Sequence, residues 1–377
     1  MAMSVRRRRA QLDVQFNWIF VLIAGGVILA LFFKVAATQK QLSEDKAAVR
    51  LMGDFGAITT SALQSKDTLQ RIDLPSQGLK FDCRDCACAI QFGRVASLAF
   101  GDRVIFTPNK ITGDDARLWT LDWRVPFRAT NLLYITNDFV KYFIIGDEQD
   151  PFMQRIIKKL PKTTDFNYEI MDTGTSDVTA ALSAIRGMDQ NYKRVVLVFI
   201  GAGTAPRTSG AYTAVKSGFR GAETRSIEFD DTTHTVAFIN TKSGQSEVSA
   251  YLEDELLFGA IVAQDSEAYK CNARTAFMRL EGVAKVYRQR ADALSKLPRV
   301  LARPDDCLPI YNKILVGETG HPAPLDTIIA KSNEIVANEP NVHQLPLAIP
   351  DIQKAMQYLD GLNQELLTKG RDCPLVY

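Results

Sequence analysis

The chain has 377 residues, enough for two or three domains and a sizeable core. Its 45 Lys+Arg against 43 Asp+Glu leave a formal charge of +2, which excludes a strongly basic nucleic-acid binder. The 46% hydrophobic and 23% charged content excludes wholesale disorder, and only three histidines (His234, His321 and His343) argue against a histidine-built metal centre.

The run from Val14 to Phe33 carries no charge and is dominated by Phe, Ile, Leu, Val, Ala and Gly. A helix of about 20 such residues, rising about 1.5 Å each, matches a bilayer core of about 30 Å. It is longer than the apolar core of a cleaved secretory signal. Arg6, Arg7, Arg8 and Arg9 precede it, whereas the far side mixes Lys34, Lys40 and Lys46 with Glu44 and Asp45. The arginines place the N-terminus in the cytoplasm and the rest of the chain outside, with Trp18 as an interfacial anchor. Gly26 and Ala30 form one small-xxx-small pair, a pattern of helix-pairing faces and of membrane helices generally.

The stretch Arg9-Ala10-Gln11-Leu12-Asp13-Val14-Gln15-Phe16 resembles the processing site of archaeal type IV pilin-like precursors, with Gln15 where that family usually has Glu. The resemblance implies cleavage before the helix and filament assembly through it. The run Phe16-Asn17-Trp18-Ile19-Phe20-Val21-Leu22-Ile23-Ala24-Gly25 is similar to the anchor of uncharacterised single-pass membrane proteins of small-genome archaea. Either likeness covers only this N-terminal stretch and implies an origin more than an activity.

From Gln39 to Leu63 the apolar positions Leu42, Val49, Met52, Phe55 and Leu63 recur at helical spacing, and no proline intervenes before Pro75. One long helix is expected to leave the bilayer and lay that stripe on the globular part. A β-rich stretch follows, with strands at Gln91–Phe100, Arg103–Phe106 and Leu118–Val125 separated by Gly101-Asp102 and Gly113-Asp114 turns. Trp119, Leu121 and Trp123 alternate as on a half-buried strand.

From Val140 the pattern becomes strand–helix–strand–helix–strand. Val140–Ile145, Phe166–Met171 and Arg194–Ile200 are apolar strands; Pro151–Leu160 and Val178–Arg186 are the intervening helices. Ser176 or Asp177 is placed to cap the second helix and Gly187 to end it. Apolar strands alternating with helices predict a parallel sheet covered on both faces, with Thr235–Ile239 as its fourth strand. The remainder reads as helices at 253–264, 266–297, 325–337 and 349–367, with a loop-rich connection marked by Pro298, Pro304, Pro309, Pro322 and Pro324.

The expected fold class is therefore α/β: a transmembrane helix, a small β-rich segment, a Rossmann-like parallel sheet with helices on both faces, and a helical C-terminal part. The boundaries are 1–13 for a cytoplasmic basic tail, 14–37 for the membrane helix, 38–75 for a juxtamembrane helix, 76–139 for the β-rich segment, 140–265 for the Rossmann-like domain and 266–377 for the helical region.

Six cysteines, Cys83, Cys86, Cys88, Cys271, Cys307 and Cys373, on the outer side of a membrane favour up to three disulfides. Cys83-Arg-Asp-Cys-Ala-Cys88 also resembles part of a thiolate metal site, but no second C-x-x-C exists to complete it. Neighbouring Cys86 and Cys88 suit each other poorly, so bonds from this cluster to distant cysteines are expected. In a parallel sheet the loops after Ile145, Met171 and Ile200 share one edge, which gathers Asp147, Glu148, Asp172 and Thr173 with Gly201, Gly203 and Thr204. Acids and glycines of this kind bind a cation or polar ligand, or simply cap loops. Gly201-Ala-Gly-Thr-Ala-Pro206 lacks the third glycine of a dinucleotide fingerprint and the Gly-Lys-Ser/Thr of a P-loop. No histidine accompanies a nucleophile, so no catalytic residue, cofactor or metal is assigned, and the scattered Arg84, Arg94, Arg103 and Arg117 make no nucleic-acid stripe. The expected role is structural or interactive at the cell surface, with the membrane, other surface proteins or a second copy through the N-terminal helix as partners. A membrane-tethered enzyme or receptor using the edge loops, and a pilin-like filament subunit, are the alternatives.

Overall fold

The structure, a computed structural model, describes residues 5–65, 68–74, 78–92, 96–162, 166–174, 178–185, 192–219, 221–302, 304–337, 345–370 and 373–377. The chain is α/β, with a long apolar N-terminal helix, several sheets and a helical C-terminal part. Ser176, Asp177, Gly187, Arg94 and His343 lie outside the described residues.

Helix α1 (Val5–Gln64) has 60 residues and so runs about 90 Å. Its upper half is long and apolar enough to cross a membrane, and Trp18, Phe20, Leu22, Phe32 and Phe33 all stand exposed. Its lower half docks on the globular part by burying Ala48, Phe55, Thr59 and Ala62. Phe55 belongs to the expected stripe, but Leu42 and Val49 do not reach the domain and remain exposed. The helix becomes buried only at Ala48, and Val49, one residue further round, points away.

The helix ends at Gln64, not at residue 75, because β1 (Leu69–Asp73) turns Ile72 into the core and pairs with a later strand. Then come β2 (Leu79–Arg84), β3 (Ala87–Phe92), β4 (Ala96–Ala99), β5 (Ile105–Phe106), β6 (Lys110–Ile111), β7 (Asp115–Arg124) and β8 (Arg128–Thr136). They make two four-stranded sheets, β4-β3-β2-β6 and β1-β7-β8-β5. The β2–β3 hairpin turns on Asp85 and Cys86 with φ of 50° and 59°, the left-handed pair of a two-residue hairpin turn. Strand β7 alternates as its sequence predicts. Ala116 and Leu118 face a core built with α1, while Trp119 and Trp123 face the opposite core.

That opposite core rests on a six-stranded sheet of β9 (Val140–Gly146), β10 (Tyr168–Asp172), β11 (Arg194–Ile200), β12 (Glu223–Asp230), β13 (Thr235–Ile239) and β14 (Ser246–Ala250), in the order β10-β9-β11-β12-β13-β14. The first four are parallel. The fourth parallel strand is β12, and Thr235–Ile239 pairs antiparallel to it. Thr224, Ser226 and Glu228 interrupt the apolar run of β12, which hides it among loop-like residues. Helices α2 (Pro151–Lys159), α3 (Val178–Ala184) and α4 (Thr213–Gly218) connect the strands. Phe152, Met153 and Ile156 of α2 pack on the face bearing Tyr142, Ile144, Val196 and Val198. Ala181, Leu182 and Val215 of α3 and α4 pack on the other face, with Phe143, Ile145, Leu197 and Phe199. Both faces are thus covered, which is why the central strands β9 and β11 are almost wholly apolar.

The C-terminal part comprises α5 (Glu253–Ala263), α6 (Ser266–Ser295), α7 (Pro298–Leu301), α8 (Leu308–Leu315), a hairpin of β15 (Gly317–Glu318) and β16 (His321–Pro322), α9 (Pro324–Ala337) and α10 (Leu345–Thr368). The proline-marked connection is therefore partly helical: Pro298 and Pro309 occupy first-turn positions, where no intrahelical N–H is lost. All six cysteines are paired, as Cys83–Cys88, Cys86–Cys271 and Cys307–Cys373. The hairpin cluster sends one long-range bond, to α6, and closes the other across β2 and β3, where Cys83 and Cys88 are direct partners.

Candidate functional site at the sheet edge

The loops after β9 and β10 meet at the carboxyl edge. The Thr173 N–H donates to the Gly146 carbonyl at 2.8 Å, and the Glu148 N–H to Asp172 Oδ1 at 3.1 Å. Asp172 Oδ1 also accepts from the Gly174 N–H at 3.0 Å, and Asp147 Oδ1 from the Gln149 N–H at 2.8 Å. Asp150 caps α2 through the Phe152 N–H at 2.9 Å. The Gly174 and Glu148 N–H groups hold the Asp172 carboxyl below its ordinary value. These carboxylates therefore already serve as acceptors for loop backbone. Gly146 is required where it stands: a Cβ there would lie 2.9 Å from Met153 Sδ and 3.0 Å from Ile200 Cβ.

The third loop leaves β11 beside Gly146 but is held by β12. Gly201 and Gly203 take φ of 111° and 73°, and Thr204 Oγ1 donates back to the Gly201 carbonyl at 2.7 Å. The Ala205 N–H donates to the buried Glu228 Oε1 at 2.9 Å, and Arg207 forms an ion pair with Glu228 Oε2. Tyr212 Oη donates to the Pro206 carbonyl at 2.7 Å and lies 3.1 Å from Ser226 Oγ. Sequence reasoning missed Glu228, although a glutamate set between Ile227 and Phe229 is the signal that finds it.

A second network, also missed, joins α2 to the turn after β12 and the start of α5. Arg155 donates to Asp254 Oδ1 at 3.1 Å and to Asp231 Oδ1 at 2.9 Å. Lys159 lies 2.9 Å from Asp254 Oδ2 and 3.3 Å from Glu255 Oε1. Burial opposes the charge on Arg155 and Lys159, but the facing carboxylates outweigh it and raise both. Burial pushes the carboxyls of Glu253 and Glu255 up. His234 sits in the turn before β13, not in a strand, with φ of 51°. Its Nε2 lies 3.2 Å from Gln353 Nε2, its Nδ1 is buried without a hydrogen-bond partner, and burial lowers its pKa.

His321 stacks on Tyr358 at 4.5 Å, far along the chain from His234, and Tyr358 Oη donates to Glu318 at 2.6 Å. Among the described residues no three or more His, Cys, Asp or Glu are grouped to hold a metal ion. Two cavities lie away from the edge loops: one of about 1160 Å³ along β12–β14, and one of about 810 Å³ between α9 and α10. The edge thus offers loop backbone held by its own carboxylates and, beside it, paired charges around Arg155 and Glu228. No protein-family model, curated protein or solved structure matches this chain.

Proposed function

We propose that this chain is a single-pass membrane protein with a cytoplasmic N-terminus, whose ectodomain serves a structural or interaction role at the cell surface. One observation carries the reading: from Trp18 on, a single helix leaves its apolar half unburied and builds its other half into a domain whose six cysteines are all paired. Exposed apolar surface of that length is stable only in lipid, and persistent disulfides belong to an oxidising compartment. Arg6 to Arg9 set the direction of insertion.

The α/β layer supports a Rossmann-like description, since its parallel strands run 2-1-3-4 with crossover helices on both faces. In our reading its carboxyl edge is a scaffold, because Asp147, Asp172 and Glu228 each bond backbone N–H groups of the loops themselves. A second reading, a pilin-like filament subunit, is favoured by the free apolar half of α1 above a docked lower half.

The test is protease protection in sealed cells and inverted vesicles. The ectodomain is expected to be digested from outside only, with an N-terminal tag digested from inside only. Protection of the ectodomain in whole cells with digestion in inverted vesicles overturns the orientation. Release of the chain from membranes by carbonate overturns the anchor.

A further inference from the structure

We infer that α1 pairs in parallel with the α1 of a second copy of this chain, along the face opposite its own domain. The inference rests on the membrane-anchored reading above and names its partner. Val21, Ile28, Val35, Leu42 and Val49 are spaced by seven residues without a break, and all five are exposed. Leu42 and Val49 retain 48% and 51% of their surface although the domain is already docked on the same helix. At about 100° per residue, Phe55, the centre of the docked face, lies roughly 140° round from Leu42. The two stripes therefore occupy different sides of one helix, and two domains joined through the outer stripe point away from each other.

Lipid covers Val21 and Ile28 but does not reach the lower part of the stripe. Leu42 and Val49 lie about 14 and 24 Å beyond Phe33, past the headgroup layer. A strict seven-residue repeat is also the pattern that winds two helices into a left-handed pair, and β-branched residues at its first position favour two strands. The flanking positions above Ala48, which its own domain covers, are compatible with this. In a parallel pair Lys34 faces Gln39 and Gln41 faces Lys46, so each lysine meets a glutamine and no like charges oppose there. Further down, Gly53 has no atom within 4 Å of a Cβ built on it, and Ala57 is exposed, so the backbones have room to approach. Asp45, at the fourth position of its heptad, is the one charge that opposes its own copy. It lies about 60° round toward the domain and is half-buried there. Anchoring both chains in one membrane enforces the parallel orientation and raises their effective concentration, so a narrow seam suffices.

The test uses the full chain in native membranes with single added cysteines. Leu42→Cys and Val49→Cys are expected to form an oxidant-induced dimer at least tenfold more than Ala47→Cys, which is exposed on another side of the helix. Because an added thiol can disturb the native pairs, a cysteine-free readout accompanies it: the mass of the detergent-solubilised chain. The wild type is expected to run as a dimer, Leu42→Lys with Val49→Lys as a monomer, and Asp45→Asn as a tighter dimer. Equal crosslinking at all three positions, crosslinks to a different protein, a ladder beyond the dimer, or a monomeric wild type overturns the pairing. Chains that stay in carbonate-washed membranes while failing these tests leave the anchor reading intact; chains washed out defeat both.

Discussion

Phe55 decides whether α1 is a tether or part of the fold. Its ring is fully buried and meets Phe92 edge-to-face at 5.5 Å and 67°. Phe55→Ala deletes a core aromatic ring, which costs about 3–5 kcal/mol when the cavity does not collapse. The surroundings cannot close it easily, because Phe92 belongs to a hydrogen-bonded hairpin that also carries two disulfides. The assay is urea unfolding of the detergent-solubilised full chain, followed by fluorescence of Trp119 and Trp123. Those indoles lie in the other core, so they report on Phe55 only if both cores melt together. They are expected to, since β7 and β8 contribute one face to each core: Leu118 and Leu133 to one, Trp119, Leu132 and Tyr134 to the other. Val316→Ala, a 78%-exposed control, should change stability by no more than about 0.5 kcal/mol. A cost below about 1 kcal/mol for Phe55→Ala, or an unchanged tryptophan midpoint, would refute the claim that the lower half of α1 is integral.

Peptide mapping under non-reducing conditions should recover Cys83–Cys88, Cys86–Cys271 and Cys307–Cys373, and alkylation of any native thiol contradicts the pairing. Replacing Cys307 and Cys373 together by Ser opens a loop with a sequence separation of 66 and should cost about 4 kcal/mol by chain entropy, read as a lower urea midpoint. Glu228→Ala leaves the Ala205 N–H and Arg207 without their acceptor and should cost about 2–3 kcal/mol; Glu228→Gln, which keeps an acceptor, should cost less, and equal losses would show that the carboxylate does not hold the loop. Burial lowers the pKa of His234 below the ordinary 6.5, so the unfolded chain takes up its proton first. Stability attached to this group is therefore full above 6.5 and is lost as pH falls from there toward the folded value. His234→Asn, which tolerates φ of 51°, should flatten that slope in urea titrations between pH 7 and 5; an unchanged slope assigns it to other groups.

Much of the architecture was legible because strong periodicities survive in single elements. Val140–Gly146 and Arg194–Ile200 are apolar on both faces since helices cover both, and Pro151 marks a helix start because a proline there loses no bond. The failures share one cause, a pattern made by tertiary contacts that a local window does not contain. Strand β12 carries Glu228 because its carboxylate accepts from the Ala205 N–H, and Ser226 because its hydroxyl meets Tyr212 Oη. Strand β1 continues a helical-looking stretch and becomes extended only because Ile72 and its neighbours pair with β7. The stripe of α1 was visible, but choosing between Leu42–Val49 and Ala48–Phe55 required knowing where the domain begins to touch the helix.

The candidate site was legible to a different degree. Strand order alone places Gly146, Asp172 and Ile200 at one edge, and Asp147, Glu148, Asp172 and Thr173 do converge there. Whether a carboxylate at such an edge is available to a ligand depends on its nearest backbone, and residue type is silent on that. Asp172 looks like a cation ligand in the sequence, yet its oxygen accepts from two loop N–H groups. Each such bond satisfies a donor that a loop would otherwise leave to water, and the loop order it creates is what a ligand would have to break to recruit the same oxygen. The charges around Arg155 follow the same logic: Asp231 and Asp254 sit far from each other in sequence, and only the turn after β12 and the start of α5 bring both to one guanidinium. An edge built in this way gains rigidity from groups that a ligand would have to recruit, and this supports the scaffold reading proposed for it.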